Sequence, residues 1–319
     1  MKLGSYFKGL SAAVATFGIL CAGSAQALEE RNYLLTTAST GGTYYPVGVA
    51  ISTLSKVKLQ PKKKIGMSAI NSAGSGENVK LLRDNEAQFA ILQGLFGYYA
   101  WNGKGPLTQE GPQKNLRAVT MLWQNVEHFT ALSSKVKTGT IADMELLKGD
   151  RVALGKKNSG TIGSNATLLG NMGIDIEKDY NLVYVGYGPS ADALQNGQIS
   201  AMSTPAGVPA GAVTRAMAAM GDKIEILDFT DEQITKVDGG LQLWTRYVIP
   251  AGTYPNQAED INTIAQPNFL SVRADVDVPQ HHRCRPSTPA AGPVPWRRVA
   301  TVGRHRRSDP EACDAHPAP

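Results

Sequence analysis

The chain has 319 residues, 42 % of them hydrophobic, with a formal net charge of +5 and a pI near 9.0. That length allows two domains with a buried core, and the apolar content excludes a wholly disordered chain. The basic balance does not mark a nucleic-acid binder, because it sits at the two ends: 1–27 holds two lysines and no acid, 279–319 holds seven arginines and three acids, and 28–278 is left with 23 basic and 24 acidic residues.

Lys2 and Lys8 precede an apolar run from Leu10 to Cys21, which ends in Ala25-Gln26-Ala27 before Leu28. A positive start, a short apolar run and an A-x-A site predict a secretory signal peptide over 1–27, hence export to the periplasm. The run is too short for a membrane span, and Leu20 is bulky for a lipoprotein cleavage site before Cys21. The other cysteines, Cys284 and Cys313, lie in the tail, so no disulfide framework supports the body.

From Tyr33, "YLLTTA" reads as a strand. Behind Pro46, residues Val47, Ala50, Ile51, Leu54 and Val57 recur at helical spacing, predicting a helix that turns this face inward. "KIGMSAI" is a strand, "NSAGSGENVKLLRDNE" a loop and helix, and "AQFAILQ" a strand. "NLRAVTMLW" and "EHFTALSS" are two more strands with a short break between them. "DRVALG" is followed by "NSGTIGSNATLLGNMG", a glycine-started helix ending at Gly173. "NLVYVGY", a helix from Pro189, "ISAMST", a helix from Pro209 and "KIEILDF" complete the series. This alternation predicts an α/β fold with parallel sheets covered on both faces. The series restarts near 150, which predicts two similar lobes around a cleft. The expected division is 28–125 for the first segment of lobe 1, 126–229 for lobe 2 and 230–278 for the return to the hinge and lobe 1.

After Asp277 the composition changes. Residues 279–319 hold eight of the 18 prolines and four of the five histidines, with no sustained period. Such a segment is expected to lack fixed structure, and its Arg/Pro/His/Ala bias reads as an out-of-frame or artificial C-terminus. His281, His282, Cys284, His305, Cys313 and His316 are zinc-ligand types, but their spacing fits no standard module and no metal site is expected.

Three loops share one design of strand, small polar residues and helix start: Ser39-Thr40-Gly41-Gly42-Thr43, Asn71-Ser72-Ala73-Gly74-Ser75-Gly76 and Asn158-Ser159-Gly160-Thr161. A helix N-terminus offers unpaired N–H groups and partial positive charge, glycine admits a ligand to the backbone, and hydroxyls add donors. Each loop alone is an ordinary cap and turn. Together, spread over both lobes, they predict one anion gripped from two sides.

The segments "STGGTYYPVG", "SAGSGENVKLLRDNEAQFAILQ", "YYAWNG" and "YVIPAGTYPNQAEDINTIAQPNFLSVRAD" resemble the TAXI family of solute-binding receptors of TRAP transporters, over about 32–277. The resemblance implies a periplasmic binding protein type II-like fold, two α/β lobes around a central ligand cleft joined by crossing strands. It implies delivery of a small carboxylated solute (an amino acid such as glutamate, a dicarboxylate or a keto acid) to a membrane permease, with no enzymatic step and no cofactor. By the family pattern Thr43, Tyr44, Asn78 and Gln93 face the cleft from lobe 1, and Ser159, Gly160 and Thr161 from lobe 2, with Thr204 and Pro205 of the "TPAGVP" turn nearby. Ser39, Thr40, Gly42 and Ser75 join them from the loop design. Family members continue past the VRAD segment into helices that complete lobe 1; here the atypical tail follows instead.

Gly186-Tyr187-Gly188 opens a helix but lacks the acidic residue of a dinucleotide fingerprint, so Tyr187 is either a cleft residue or ordinary packing. No phosphate-binding loop or nucleophile elbow occurs. The remaining alternatives are an exported α/β enzyme using His128, the body's one imidazole, or a receptor of the same fold serving an ABC importer or sensor kinase.

Overall fold

The computed structural model describes residues 28–276; the expected signal peptide and tail lie outside the described residues. The first lobe is built from β1 (Arg31–Thr36), α1 (Tyr44–Leu54), α2 (Gln60–Lys63), β2 (Ile65–Ile70), α3 (Ser75–Arg83), β3 (Phe89–Gln93), α4 (Gly94–Asn102) and β4 (Leu116–Val126). The chain then crosses into β5 (Phe129–Leu132), β6 (Arg151–Ala153), α5 (Gly160–Met172), α6 (Ile176–Asp179), β7 (Asn181–Leu182), α7 (Tyr187–Gln195), β8 (Ala201–Ser203), α8 (Gly211–Met220), β9 (Ile224–Ile226) and α9 (Asp231–Asp238). It returns through β10 (Thr245–Ile249) and β11 (Ile261–Arg273).

One sheet has the order β10-β11-β3-β1-β2, with β4 also on β11, and the other β7-β6-β8-β5-β9. This is the expected α/β fold of two sheets with helices, but the sheets are mixed. β1, β2 and β3 are parallel, as are β6, β7 and β8. β11 runs antiparallel to β3, β4 and β10, and β5 antiparallel to β8 and β9. The antiparallel pairs lie where the chain passes between lobes, since a strand that leaves or re-enters a sheet there has no helical crossover to restore its direction.

The packing on the first sheet is continuous with that of the second at the crossing, where Leu95 and Ile264 join the cluster of Phe129 and Val152. Val79, Leu82, Ala90, Leu92 and Phe96 fill the space between the first sheet and α3/α4. Phe129, Met144, Val152, Leu154, Leu168 and Phe229 form most of a larger cluster centred on the second lobe. Gly173 ends α5 in the left-handed region at φ 99°, where glycine carries no Cβ penalty.

The expected inward face of the first helix is corrected. α1 buries Tyr44, Gly48 and Ser52, while Leu54 and Val57 are 59 % and 60 % exposed. Tyr44 sets this phase. Its hydroxyl donates to Asn268 Oδ1 on β11, its ring packs edge-on to Trp123, and the positions four and eight later therefore meet the sheet. Small residues there let the helix approach closely. A π-helical stretch over Ser55–Leu59 then carries Val57 outward.

Candidate functional site

A cavity of about 30 Å³ lies between the lobes. Its walls are the residues before and at the first turns of α1 (Ala38, Ser39, Gly42, Thr43, Tyr44), α3 (Ala73, Gly74, Ser75), α5 (Lys156, Ser159, Gly160, Thr161) and α7 (Val185, Gly186, Tyr187), closed by Gln93, Asn125 and Pro205. Four helix N-termini, two from each lobe, thus meet at one point. Their first backbone N–H groups have no partner within the helix and carry its partial positive charge. The lining contains Lys156 and no carboxylate. Lys156 is half-buried and makes no ion pair among the described residues. Donors and positive potential therefore dominate the cavity.

The lobes touch directly around it. Gln93 Nε2 donates to Gly160 O at 2.9 Å, Glu77 N to Asn158 O at 2.9 Å, and Gly207 N to Thr43 Oγ1 at 3.1 Å. Gly76 is needed for this approach, because a Cβ there would stand 2.4 Å from Asn158 O. Inside the second lobe Tyr187 OH lies 3.0 Å from Pro205 O and 2.6 Å from Thr161 Oγ1. The carbonyl can only accept, so the tyrosine donates to Pro205 and accepts from Thr161. Burial lifts the Tyr44 and Tyr187 hydroxyls well above the usual phenol range, which keeps both protonated.

Of the positions named from the sequence, Ser39, Gly42, Thr43, Tyr44, Ser75, Gln93, Ser159, Gly160, Thr161, Tyr187 and Pro205 lie together on this cavity. Thr40, Asn78 and Thr204 do not. Thr40 is exposed at the loop tip. Asn78 is fully buried in the frame behind the site: its Nδ2 donates to Thr37 O and Ile91 O, and its Oδ1 accepts from Thr36 and Ser72. Thr204 is fully buried beside the crossing, where its N–H donates to His128 O at 2.9 Å. Sequence reasoning missed Lys156 and Asn125. Lys156 ends the strand-and-glycine run of "DRVALGK", at the carboxyl edge of a sheet where ligands gather, and that position was a usable signal. Asn125 carries no local signal; only the path of β4 into the crossing brings it there.

His128 is removed from consideration as a base. It is fully buried, Nδ1 contacts the carbonyls of Val126 and Thr204 at 2.9 and 3.0 Å, and Nε2 lies 2.8 Å from Tyr254 OH. Two carbonyls require a donor at Nδ1, so Nε2 accepts from the tyrosine and the ring is neutral. Burial pushes its pKa down to about 4, and it does not line the cavity. Among the described residues no cluster of three or more His, Cys, Asp or Glu is placed to hold a metal, and no helix is long and apolar enough to cross a membrane.

Solved structures similar to this chain include the alkanesulfonate-binding protein SsuA from Xanthomonas axonopodis pv. citri bound to MOPS, at 13 % identity and a TM-score of 0.45, covering 77 % of this chain and 67 % of that one. The periplasmic aliphatic sulphonate binding protein SsuA from Escherichia coli follows at 16 % identity and a TM-score of 0.40, covering 62 % and 60 %. The periplasmic nitrate-binding protein NrtA from Synechocystis PCC 6803 has 11 % identity and a TM-score of 0.46, covering 77 % and 56 %. The chain thus spans between 56 % and 67 % of the length of these proteins. Residues 35–282 match the NMT1-like family, most of the two-lobed body, and the chain belongs to that family.

Proposed function

We propose that the chain is an extracytoplasmic solute-binding receptor of the TAXI type, which closes over a small carboxylated solute between its lobes and delivers it to a TRAP membrane permease. The observation that carries the reading is the meeting of four helix N-termini and Lys156 around a cavity lined by no carboxylate. A carboxylate there replaces water at the orphan N–H groups and gains from the helix dipoles and the ammonium. The small size of the cavity favours a small guest, and its position between lobes makes affinity a property of the closed state. The blocks of sequence that resemble TAXI receptors, the signal-peptide pattern of 1–27 and membership of the NMT1-like family support the same reading.

The test is thermal-shift screening of the purified protein against amino acids, dicarboxylates and keto acids. At a ligand concentration of about 100 Kd the gain is roughly 2.7 kcal/mol, a rise of several degrees in Tm. No rise with any carboxylate would defeat the proposal. A many-span permease encoded beside the chain is the expected genetic context for a TRAP system.

A further inference from the structure

The amide chain at the cavity wall fixes which groups face which. Gly160 O can only accept, so Gln93 must present Nε2 to it, as the 2.9 Å contact shows. Gln93 Oε1 is then the end that faces Asn125, and Asn125 Nδ2 lies 3.5 Å from it. Turning the Asn125 amide over would set two carbonyl oxygens against each other. Asn125 Oδ1 is therefore on the other side of the amide. It is buried, and no donor reaches it among the described residues. The residue itself is 1 % exposed and lines the cavity. A buried acceptor in this state is costly unless a donor arrives. The helix starts and Lys156 supply donors and attract an anion; Asn125 lines the same wall and carries an unpaired acceptor.

Resting on the carboxylate-receptor reading above, we propose that Asn125 is a specificity-determining residue, whose Oδ1 accepts a hydrogen bond from a hydroxyl or ammonium group beside the carboxylate of the solute. The site then selects α-hydroxy or α-amino acids over the matching keto acids. A ketone oxygen offers no hydrogen and sets an acceptor against an acceptor, whereas a donor completes the amide. Discrimination of this kind is larger than pocket shape alone achieves, because the rejected ligand leaves a buried polar group unpaired.

Titration calorimetry on the full chain with matched sets tests this: L-alanine, L-lactate and pyruvate; L-glutamate, L-2-hydroxyglutarate and 2-oxoglutarate. In at least one set the amino or hydroxy acid binds at least about tenfold tighter than the keto acid, and the two donor-bearing arms show which group is preferred. Asn125→Leu removes that preference without weakening the keto acid. Asn125→Asp, which keeps shape and acceptor, retains the preference while weakening every anion. A smaller ratio in every set that binds, or a preference unchanged in Asn125→Leu, overturns the assignment and leaves the receptor reading standing. Binding of no carboxylate overturns both.

Discussion

Lys156 is the cavity's lone cation, and its position separates two roles that sequence alone ran together. The hydroxyl and glycine positions were legible because small polar residues cluster where a strand gives way to a helix: Ser39 in the loop before α1, Ser75 as the first residue of α3 and Ser159 as the cap of α5 all reach the cavity. Ser159 shows that one hydroxyl can serve the fold as well, since its Oγ accepts from Ile162 N at 3.1 Å. Asn78 reads the same way in sequence yet serves the fold entirely. Its amide can satisfy four partners, and the chain supplies all four from β1 and the residue after it, β3 and the loop before α3. Lys156 has no such employment. Its half-buried ammonium has no ion-pair partner among the described residues, so Lys156→Met, which keeps the apolar stem, is expected to leave the ligand-free Tm within about a degree while weakening carboxylate binding roughly 10- to 100-fold, the scale of one lost charge-assisted hydrogen bond. Calorimetry at two salt concentrations checks it: the wild type loses affinity with salt, and the variant much less. Equal affinity in the two proteins would show that the helix starts hold the anion unaided.

At the level of elements, periodicity located most strands and helices, and failed where a long-range contact set the answer. α5 runs from its glycine start to Gly173 as read. α1 does not follow its apolar stripe, because a hydroxyl bond to β11, 224 residues away in sequence, fixes its rotation. The direction of the crossing strands was equally invisible, since alternation of strand and helix says nothing about a strand that changes sheets. The α3 start shows a third case, a glycine whose reason lies in the other lobe. Gly76 sits in the first turn of α3, where alanine is a better helix former by roughly 1 kcal/mol. Its Cβ would nonetheless meet Asn158 O, a backbone atom with little room to give, and would break the bond from Glu77 N. Gly76→Ala is therefore expected to weaken solute binding by about tenfold or more, as closure becomes strained. Any helix-propensity gain is offset because the Cβ also crowds the buried Phe96 of its own lobe at 3.2 Å. Small-angle scattering with saturating solute would show a larger radius of gyration than the wild type reaches. Unchanged affinity would mean that the lobes need not approach this closely to hold the solute.

For the molecule as a whole, the two-lobed α/β plan was legible because strand-helix alternation and its restart are properties of the chain read end to end; the ionisable groups at the crossing were not, because burial there is made by both lobes at once. Glu127 and His128 form the link between β4 and β5 and both are 0 % exposed. Burial lifts the Glu127 carboxyl from the ordinary 4.5 up to about 8; Trp244 and Gln266 turn N–H groups toward it and limit the rise, without closing full hydrogen bonds. Tyr44 and Tyr187 are the cavity groups that feel its charge. Between its unfolded and folded values the native protein holds a proton that the unfolded chain has lost, so Glu127 makes stability fall as pH rises from 4.5 to 8. His128 has the opposite sign: its pKa is lowered from 6.5 to about 4, so the unfolded chain binds the extra proton and stability falls as pH drops through that interval. The two slopes oppose each other between 4.5 and 6.5, and above 6.5 Glu127 acts alone of the pair. Stability is therefore expected to be highest near pH 5–6.5 and to decline toward pH 8 by on the order of 2 kcal/mol. Burial also raises Glu225 and Asp228, which is why the measurement has to be a comparison. Urea unfolding of the wild type and Glu127→Gln at pH 5.5, 6.5, 7.5 and 8.5 isolates the crossing carboxyl. The variant should gain on the wild type from pH 5.5 through 7.5 and the gain should level off near pH 8, and parallel curves would mean that Glu127 is already ionised in the folded protein.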